Sequence, residues 1–390
     1  MVELSDYVGR EQSYVKHVFL ELYLERLVYK VASNYSHVVY VDGFAGPWQS
    51  ANEQFEDTSF GIALSALRRA KASWKALGRD VRMSAFLVER HSEAYEKLAE
   101  VPARYPDVEV KTYPAEFVSV LPEILRDIPA TAFTFFLIDP TGWRIRLAAL
   151  APMLSRLKSE VIFNFIFEFI NRAASIKDVA AELDELIPFG NWRPALEAAT
   201  TPEERKAILI EAFAANLSHI GKYTYVAETT ILRPVRDRPL YCLFYATRHQ
   251  TGIEEFRNCQ VKALKEQSRT RAKTKVRHAQ AKTGQTEFFQ SLHEMGPDDL
   301  TAFLDTEQDE AEKTLLILTP VEPDAIHYEE LWPMVLARNA VKKTDVNQIA
   351  ARLRKEGRLV FPDWEKGKRI PQPHYRVQRP GVQLPRERQS

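Results

Sequence analysis

The chain of 390 residues contains little cysteine, has no net charge and lacks a long apolar run. Its two cysteines, Cys242 and Cys259, are too few for a disulfide framework or a zinc site, so we expect a reducing, cytoplasmic setting. Cys242 lies in an apolar run and is expected in the core, whereas we assign no role to Cys259. Basic and acidic residues balance at 53 each, so any contact with nucleic acid must be local.

The apolar segments are also short. None reaches the roughly 18 apolar residues of a membrane-spanning helix, and the first residues lack the apolar core of a signal peptide. The longest run, 161–170, contains Asn164 and Glu168 and is typical of a buried strand. We therefore expect no association with a membrane.

Strand-like and helix-like segments alternate over the first half of the chain. After a helix with apolar residues at helical spacing over 14–32, predicted strands cover 37–42, 83–89, 107–113, 132–139 and 160–167, with predicted helices at 59–77, 91–100, 115–127 and 147–157. This alternation predicts a parallel sheet with helices on both faces.

The next segments complete the predicted sheet. Residues 170–220 are helical in character and are predicted to form an insertion. Strands at 222–232 and 239–247 are joined by a short link, so they should form a hairpin with one antiparallel member. The sequence thus predicts the α/β, Rossmann-like fold of S-adenosylmethionine (SAM)-dependent methyltransferases: a seven-stranded, mostly parallel sheet ending in an antiparallel hairpin.

The last third of the chain differs in composition. Basic residues dominate 262–282, which is either a mobile linker or a helix with a positive face. Two helices (328–338 and 346–355, the latter capped by Thr344-Asp345) and a hairpin of 358–361 with 374–377 are typical of a winged helix. The predicted division is an N-terminal helical segment (1–36), a methyltransferase-like domain (37–260), a basic linker and helical segment (261–320), a winged-helix-like domain (321–380) and a disordered tail (381–390).

Three predicted strands end in a carboxylate, at Asp42, Glu89 and Asp139. The ends of parallel strands meet at one edge of a sheet, where nucleotide-type ligands bind. Gly43 and Gly46 bracket the turn after the first strand and allow the backbone to approach such a ligand closely. Each carboxylate can also be an ordinary charged residue at a strand end.

Several stretches resemble the three-Cys-motif partner proteins (TcmP). They are Lys16-His17 through Tyr23-Leu24, Tyr40 through Gly46, Ser59 through Leu64, Leu137 through Trp143 and Tyr245 through His249. The family has Gly-Ser-Pro where this chain has Thr58-Ser59-Phe60. The resemblance implies a bacterial, methyltransferase-like protein that uses SAM and is encoded beside a radical-SAM-like protein with a three-cysteine motif.

The chemistry of SAM suggests a role for each strand end. Asp42 and the amides of Phe44, Ala45 and Gly46 would bind the methionine end of the cofactor. Glu89 would accept hydrogen bonds from both ribose hydroxyls. Ala115 and Glu116, after the third strand, would flank the adenine.

Asp139 and Pro140 lie where amino-methylating enzymes place a motif that holds the target amine. Trp143 would stack on a base. Asp139 either orients the nucleophile or only closes the cofactor pocket. Asn164 and the polar residues Glu168, Asn171 and Arg172 are candidate substrate contacts or buried hydrogen-bonding groups, and His17 and His249 are either polar contacts near the site or structural.

Nucleic acid, DNA in preference to RNA, is the expected partner of the basic segments, because lysine and arginine bind phosphate through charge. The candidate contacts are Arg269, Arg271, Lys273, Lys275, Arg277, Lys366, Lys368 and Arg369. Three functions stay open: a methyltransferase acting on nucleic acid with the radical-SAM-like partner, in DNA repair or a phage-related context; a non-catalytic DNA-binding adaptor of that partner; and a nuclease or repair component that holds a metal with Asp42, Glu89 and Asp139.

Overall fold

A computed structural model describes the fold of the chain. It covers residues 4–7, 11–46, 50, 55–140, 142, 145–166, 180–232, 239–283 and 296–381. The chain divides into two compact units, Met1–Gly296 and Pro297–Ser390. The boundary therefore falls inside the predicted segment 261–320, and the predicted N-terminal segment 1–36 belongs to the first unit.

The first unit is built on a sheet of seven strands, as predicted. They are β1 (His37–Asp42), β2 (Arg82–Val88), β3 (Glu109–Tyr113), β4 (Phe133–Ile138), β5 (Ser159–Phe165), β6 (Tyr225–Leu232) and β7 (Pro239–Thr247). Their order is β3-β2-β1-β4-β5-β7-β6, and β7 runs antiparallel to both of its neighbours. The predicted mixed α/β fold with a mostly parallel sheet is therefore confirmed.

Helices cover both faces of this sheet. They are α1 (Glu11–Ala32), α2 (Ser59–Ala76), α3 (Ser92–Leu98), α4 (Val101–Arg104), α5 (Phe117–Asp127), α6 (Ala151–Leu154), α7 (Ala180–Leu186), α8 (Trp192–Ala198), α9 (Pro202–Gly221) and α10 (Gln250–Thr283). The predicted helix at 147–157 is shorter than expected, a 3-10 turn (Leu147–Leu150) followed directly by α6.

Alternation along β1 separates the two faces of the sheet. Val39 and Val41 join the large core formed with α5 to α9. Tyr40 and Asp42 point to the opposite face, where Tyr40 stacks on Phe135 at 6.1 Å between ring centroids. Apart from His37 at the start of β1, the central strands β1 and β4 are buried, which is why they appear in the sequence as nearly continuous apolar runs.

The predicted helical insertion is present from residue 180 onward as α7, α8 and α9. Residues 167–179, including Glu168, Asn171 and Arg172, lie outside the described residues. The start of α9 carries a capping box in which Thr201 and Glu204 satisfy each other's backbone amides.

Helix α10 continues from the sheet domain through the predicted domain boundary at 260 and includes the basic segment as far as Thr283. Of the two alternatives for this segment, the helix is therefore the observed one. Its buried side includes Gln267, Thr270 and Thr274. Gln267 Oε1 accepts a hydrogen bond from the amide of Leu232 at 3.0 Å, which ties the helix to β6.

The second unit contains α11 (Gly296–Leu318, of which all but the first residue belong to this unit), β8 (Ile326–His327), α12 (Tyr328–Arg338), α13 (Lys343–Lys355) and β9 (Arg376–Val377). The sequence did not predict β8, which pairs antiparallel with β9. The predicted strand 358–361 is reduced to one antiparallel bridge between Val360 and Gln378.

The start of α13 also differs from the prediction. The helix begins at Lys343 and not at Val346, so Thr344 and Asp345 lie inside its first turn, and Asp345 caps the helix start from its third position. Asp345 Oδ2 accepts a hydrogen bond from the backbone amide of Lys342 at 2.9 Å, which stabilises the helix start.

No helix in the described part of the chain combines the length and the apolar character that crossing a membrane requires.

Candidate functional site

Four polar side chains gather at the carboxyl edge of the sheet. Asp42 ends β1, Glu89 follows β2, Asp139 follows β4, and Asn164 lies near the end of β5. In the sheet, β2, β1, β4 and β5 are consecutive neighbours, and the chain reverses direction across the sheet between β1 and β4. Such a switch point opens a crevice for ligands in α/β proteins.

Asp42 is fully buried and is held by three donors from the chain itself. Its Oδ2 atom accepts hydrogen bonds from the hydroxyls of Tyr40 at 2.9 Å and Ser59 at 2.7 Å, and its Oδ1 atom accepts one from the amide of Phe44 at 3.0 Å. Burial raises the pKa of Asp42 to about 6, although these hydrogen bonds oppose the shift. Asp42 therefore organises the turn after β1.

The turn after β1 uses its own amides. Besides Phe44, which donates to Asp42, Ala45 donates to the carbonyl of Val88 at 2.8 Å. Two of the three amides predicted to bind the methionine end of SAM, those of Phe44 and Ala45, thus already have partners within the chain. Gly46, the third predicted amide, is half-buried at the end of the turn.

Gly43 owes its identity to packing. A Cβ atom added there would lie 2.8 Å from Cγ of Phe117, the first residue of α5. The amide of Gly43 donates to the carbonyl of Leu137 at 3.2 Å. The close approach that the sequence predicted for a ligand is therefore made by an aromatic ring of the same chain.

Glu89 keeps an open acceptor. The side chain is only 5% exposed, and its Oε1 atom accepts a hydrogen bond from the amide of His91 at 2.7 Å. Among the described residues, its Oε2 atom has no donor. A buried carboxylate with one oxygen engaged and one available fits the binding of a hydroxyl pair.

The predicted adenine contacts differ in exposure. Ala115 is half-buried and packs against the core of the sheet face that α5 covers. Glu116 precedes α5, and its side chain is 69% exposed and pairs with Arg90 at 3.1 Å. Such an exposed pair adds little to stability, so Glu116 is able to exchange Arg90 for another partner.

Asp139 forms an ion pair with Lys16 of α1, whose ammonium donates to its Oδ2 atom. Nδ2 of Asn164 donates to its Oδ1 atom at 2.6 Å. Burial alone would raise the pKa of Asp139, but Lys16 and Asn164 outweigh burial and leave that pKa below its ordinary value. Burial lowers the pKa of Lys16, and the charge of Asp139 more than compensates, so that pKa is raised. Both groups are therefore charged at neutral pH.

The other residues of the predicted catalytic motif are only partly described. Pro140 is buried directly after Asp139, and Trp143 lies outside the described residues. Nδ1 of His17 contacts the hydroxyl of Tyr7 at 2.8 Å. His249 donates its backbone amide to Thr247 at 3.1 Å and starts the approach to α10.

The exposed basic residues of α10 form a stripe. Lys262, Lys265, Arg269 and Lys273 are exposed and are separated by three or four residues, so they share one face of the helix. The stripe is roughly 16 Å long at the usual helical rise. Arg271, also predicted as a contact, is half-buried. Lys275 and Arg277 lie in α10, but their side chains are outside the described residues.

The predicted contacts of the second unit lie on a turn around Gly367. Lys366, Lys368 and Arg369 are exposed there, and Lys368 lies 3.9 Å from Glu365. Two basic residues of α13 have partners within the unit. Arg352 pairs with Glu312 at 2.5 Å, and Arg354 lies 4.2 Å from the ring centroid of Trp364.

Three further buried side chains carry an ionisable group, namely two cysteines and one glutamate. Cys242 and Cys259 are both buried free thiols, and burial raises the pKa of each. Glu160, in β5, was not predicted as a notable residue, and it accepts hydrogen bonds from Tyr23 and Thr247 on the face that α1 covers. Its signal in the sequence is a lone acid at the start of an apolar strand.

The structure adds Lys16 to the candidate site. The sequence named it only as part of a matching stretch, because its contact with Asp139 spans 123 positions. Among the described residues, no three His, Cys, Asp or Glu side chains are grouped as metal ligands. The nuclease alternative therefore lacks its ligand set in this part of the chain.

Comparisons with known proteins give only weak similarities. No protein-family model and no curated protein matches the chain. Among solved structures, protein LPL1258 from Legionella pneumophila, of the DUF519 family, has a TM-score of 0.36 and 13% identity over 59% of this chain and 84% of its own. A loganic acid methyltransferase with SAH has a TM-score of 0.27 and 7% identity over 76% of this chain and 89% of its own. We base no argument on either.

Proposed function

We propose that the chain is a SAM-dependent methyltransferase that acts on nucleic acid. The observation that carries the proposal is Glu89: its buried carboxylate keeps Oε2 without a donor among the described residues, at the switch point of a seven-stranded methyltransferase-like sheet. SAM supplies an electrophilic methyl group when bound. The residues present fit this ligand, since Glu89 would bind the ribose hydroxyls and Glu116 would lie beside the adenine.

Asp42 would serve the cofactor indirectly. Its three hydrogen bonds fix the turn after β1. Asp42 would therefore shape the part of the pocket that holds the methionine end of SAM, without binding all of its polar groups directly. Because methyltransferases accelerate the reaction mainly by positioning the reactants, a turn with a fixed conformation would favour catalysis.

The basic stripe of α10 supports nucleic acid as the substrate. Four exposed cations on one helix face can follow a phosphate backbone without reading its sequence. The second unit would be a winged-helix docking module, because α12, α13 and the strands around Val360, Arg376 and Val377 follow in the order of that fold. The resemblance to the TcmP family adds a radical-SAM-like partner and a cytoplasmic, DNA repair or phage-related setting to the proposal.

A second candidate is a non-catalytic DNA-binding adaptor of that partner. It is favoured by one observation, namely that the amides of Phe44 and Ala45 already have partners within the chain. In a fold that no longer binds the cofactor, we would expect the amides of this turn to have hydrogen-bond partners within the chain.

Calorimetry with SAM tests the proposal. Wild-type protein should bind SAM, and Glu89→Gln should weaken binding about tenfold, because one of two acceptor oxygens becomes a donor. Glu93→Gln on α3 is the matched control, since Glu93 is exposed nearby in sequence and should leave binding unchanged. Transfer of a labelled methyl group to DNA or RNA distinguishes enzyme from adaptor. Absence of SAM binding by wild-type protein would exclude the methyltransferase.

A further inference from the structure

Lys16, Asp139 and Asn164 form a polar cluster beside the proposed cofactor site. Asp139 receives one donor on each oxygen, Lys16 on Oδ2 and Asn164 on Oδ1. Asn164 is only 2% exposed, and its buried Oδ1 atom has no hydrogen-bond partner among the residues that the structure describes. Both oxygens of Asp139 therefore have a hydrogen-bond donor within the cluster, whereas Oδ1 of Asn164 has none among the described residues.

The orientation of the Asn164 amide is fixed by its partner. An ionised carboxylate can only accept, so the nitrogen of Asn164 must face Asp139 and the oxygen must face away. Exchanging the two amide atoms would put two acceptors against each other. The unpaired oxygen is thus a consequence of the cluster, and an unpaired buried acceptor is unfavourable until a donor arrives.

We propose that this cluster binds the amino group of a nucleobase as the methyl acceptor, an inference that rests on the proposed methyltransferase function. One N–H would donate to Oδ1 of Asn164 and the other to the Asp139 carboxylate, which retains two unused lone pairs. A hydroxyl has one hydrogen and would leave one of the two acceptors unpaired. An exocyclic amine, as in adenine or cytosine, matches both.

The charge state of the cluster supports the same acceptor class. With Lys16 beside it, Asp139 stays ionised near neutral pH and is a weak base, whereas methylation of a hydroxyl benefits from a base that removes its proton. An amine needs no base before the methyl group is transferred. Its nitrogen lone pair forms the N–CH3 bond while the S–CH3 bond breaks and its electron pair returns to sulfur. The nitrogen becomes positive next to the Asp139 carboxylate and then loses one proton to water.

Lys16 acts through Asp139 and is a positioning residue. It keeps the carboxylate charged and fixes it toward Asn164. Among the described residues, the other charged or titratable groups that face the pair include Tyr40 and Asp42 on β1, His17 on α1 and Tyr241 on β7. The ring centroid of Tyr241 lies 5.8 Å from the Lys16 ammonium.

The first experiment compares acceptors that differ only in the amino group. The full chain is incubated with SAM carrying a labelled methyl group and with DNA and RNA oligonucleotides containing adenine or hypoxanthine, and cytosine or uracil. An amino base should be methylated at least about tenfold faster than its carbonyl counterpart, and digestion should give an N-methylated nucleoside. Methyl groups on carbon or on a hydroxyl, equal rates within the pairs, or SAM binding without any transfer would each overturn the inference. Absence of SAM binding would instead remove the proposed function.

The second experiment uses variants of the cluster. Asn164→Leu should lower transfer to the amino base about tenfold and leave the Kd for SAM unchanged. Asn216→Leu is the matched control, because Asn216 is also 2% exposed but has partners on both amide atoms, so that variant should lower Tm and not the rate of the folded protein. Wild-type rates in Asn164→Leu would refute the amine contact.

Lys16 is tested by a pH profile. Lys16→Met should raise the pKa of Asp139, so activity on the acid side should be lost at a higher pH than in wild type, and Lys16→Arg should restore the profile. Lys30→Met, which breaks the ion pair of Lys30 with Glu255 at 2.6 Å on the same helix, should not move it. An acid limb that stays in place in Lys16→Met would remove Lys16 from the site.

Discussion

The hydroxyl of Tyr23 donates to Oε2 of Glu160 at 2.6 Å and joins helix α1 to strand β5 across the buried face of the sheet. The hydroxyl of Tyr245 lies 2.7 Å from that of Tyr23, and Thr247 donates to Oε1 of Glu160 at 2.9 Å. Burial raises the pKa of Glu160, although Tyr23 and Thr247 oppose the shift. The matching stretches around Tyr23 and Tyr245 thus contribute to an internal network that holds α1, and with it Lys16, in place.

Tyr23→Phe should lower the free energy of unfolding by about 1–3 kcal/mol, because it removes a donor from a buried carboxyl group. Tyr29→Phe on the same helix is the control, since Tyr29 is 43% exposed and stacks on Trp74 through its ring. Urea unfolding of both variants measures the difference. Equal stability of the two variants would show that the hydrogen bond to Glu160 contributes nothing.

Asp42 should make stability depend on pH. Its folded pKa of about 6 lies above the ordinary value of 3.8, so the folded state binds the proton more tightly than the unfolded state. Stability from this group is therefore complete below its unfolded pKa and is lost as the pH rises through the folded one. Relative to Asp42→Asn, wild type should lose about 2 kcal/mol between about pH 4 and pH 7. Parallel unfolding profiles for the two proteins would contradict the shift.

Gly43→Ala should destabilise the first unit by about 1–3 kcal/mol, because the new methyl group overlaps the ring of Phe117. Phe117→Leu should relieve part of that destabilisation, which a double-mutant cycle of unfolding free energies would detect as coupling. Gly142→Ala is the control, since a Cβ there meets no atom of the described chain within 4 Å. Additive effects in the cycle would argue against the contact.

The central strands could be predicted because they are buried on both faces. β1 was predicted at its observed bounds, since His37–Asp42 is an almost continuous apolar run. The nature of the basic segment was harder to predict, because the buried side of α10 is lined by Gln267, Thr270 and Thr274. Small and polar residues give no apolar period, so the sequence left linker and helix open. In the second unit, β8 was missed because it has two residues.

The site was predictable only as far as it follows from strand order. Parallel strands bring Asp42, Glu89 and Asp139 to one edge whatever their side chains contact. What each carboxylate binds depends on residues far away in the chain, such as Lys16 for Asp139. The reason for Gly43 likewise lies in Phe117, which a local turn pattern does not reveal.

The basic stripe of α10 should bind nucleic acid through charge alone. Replacing Lys262, Lys265, Arg269 and Lys273 with glutamine should weaken binding of a labelled duplex uniformly across sequences. It should also flatten the dependence of affinity on salt by about one unit of slope for each phosphate that the protein no longer neutralises.

A matched variant tests whether position matters or only net charge. Lys75→Gln and Lys97→Gln remove exposed cations from α2 and α3, outside the stripe. Because counterion release requires a cation at a phosphate, these changes should leave the salt slope unchanged. If one stripe substitution lowers the slope no more than one control substitution, binding follows the total charge of the protein, and α10 is not the contact surface.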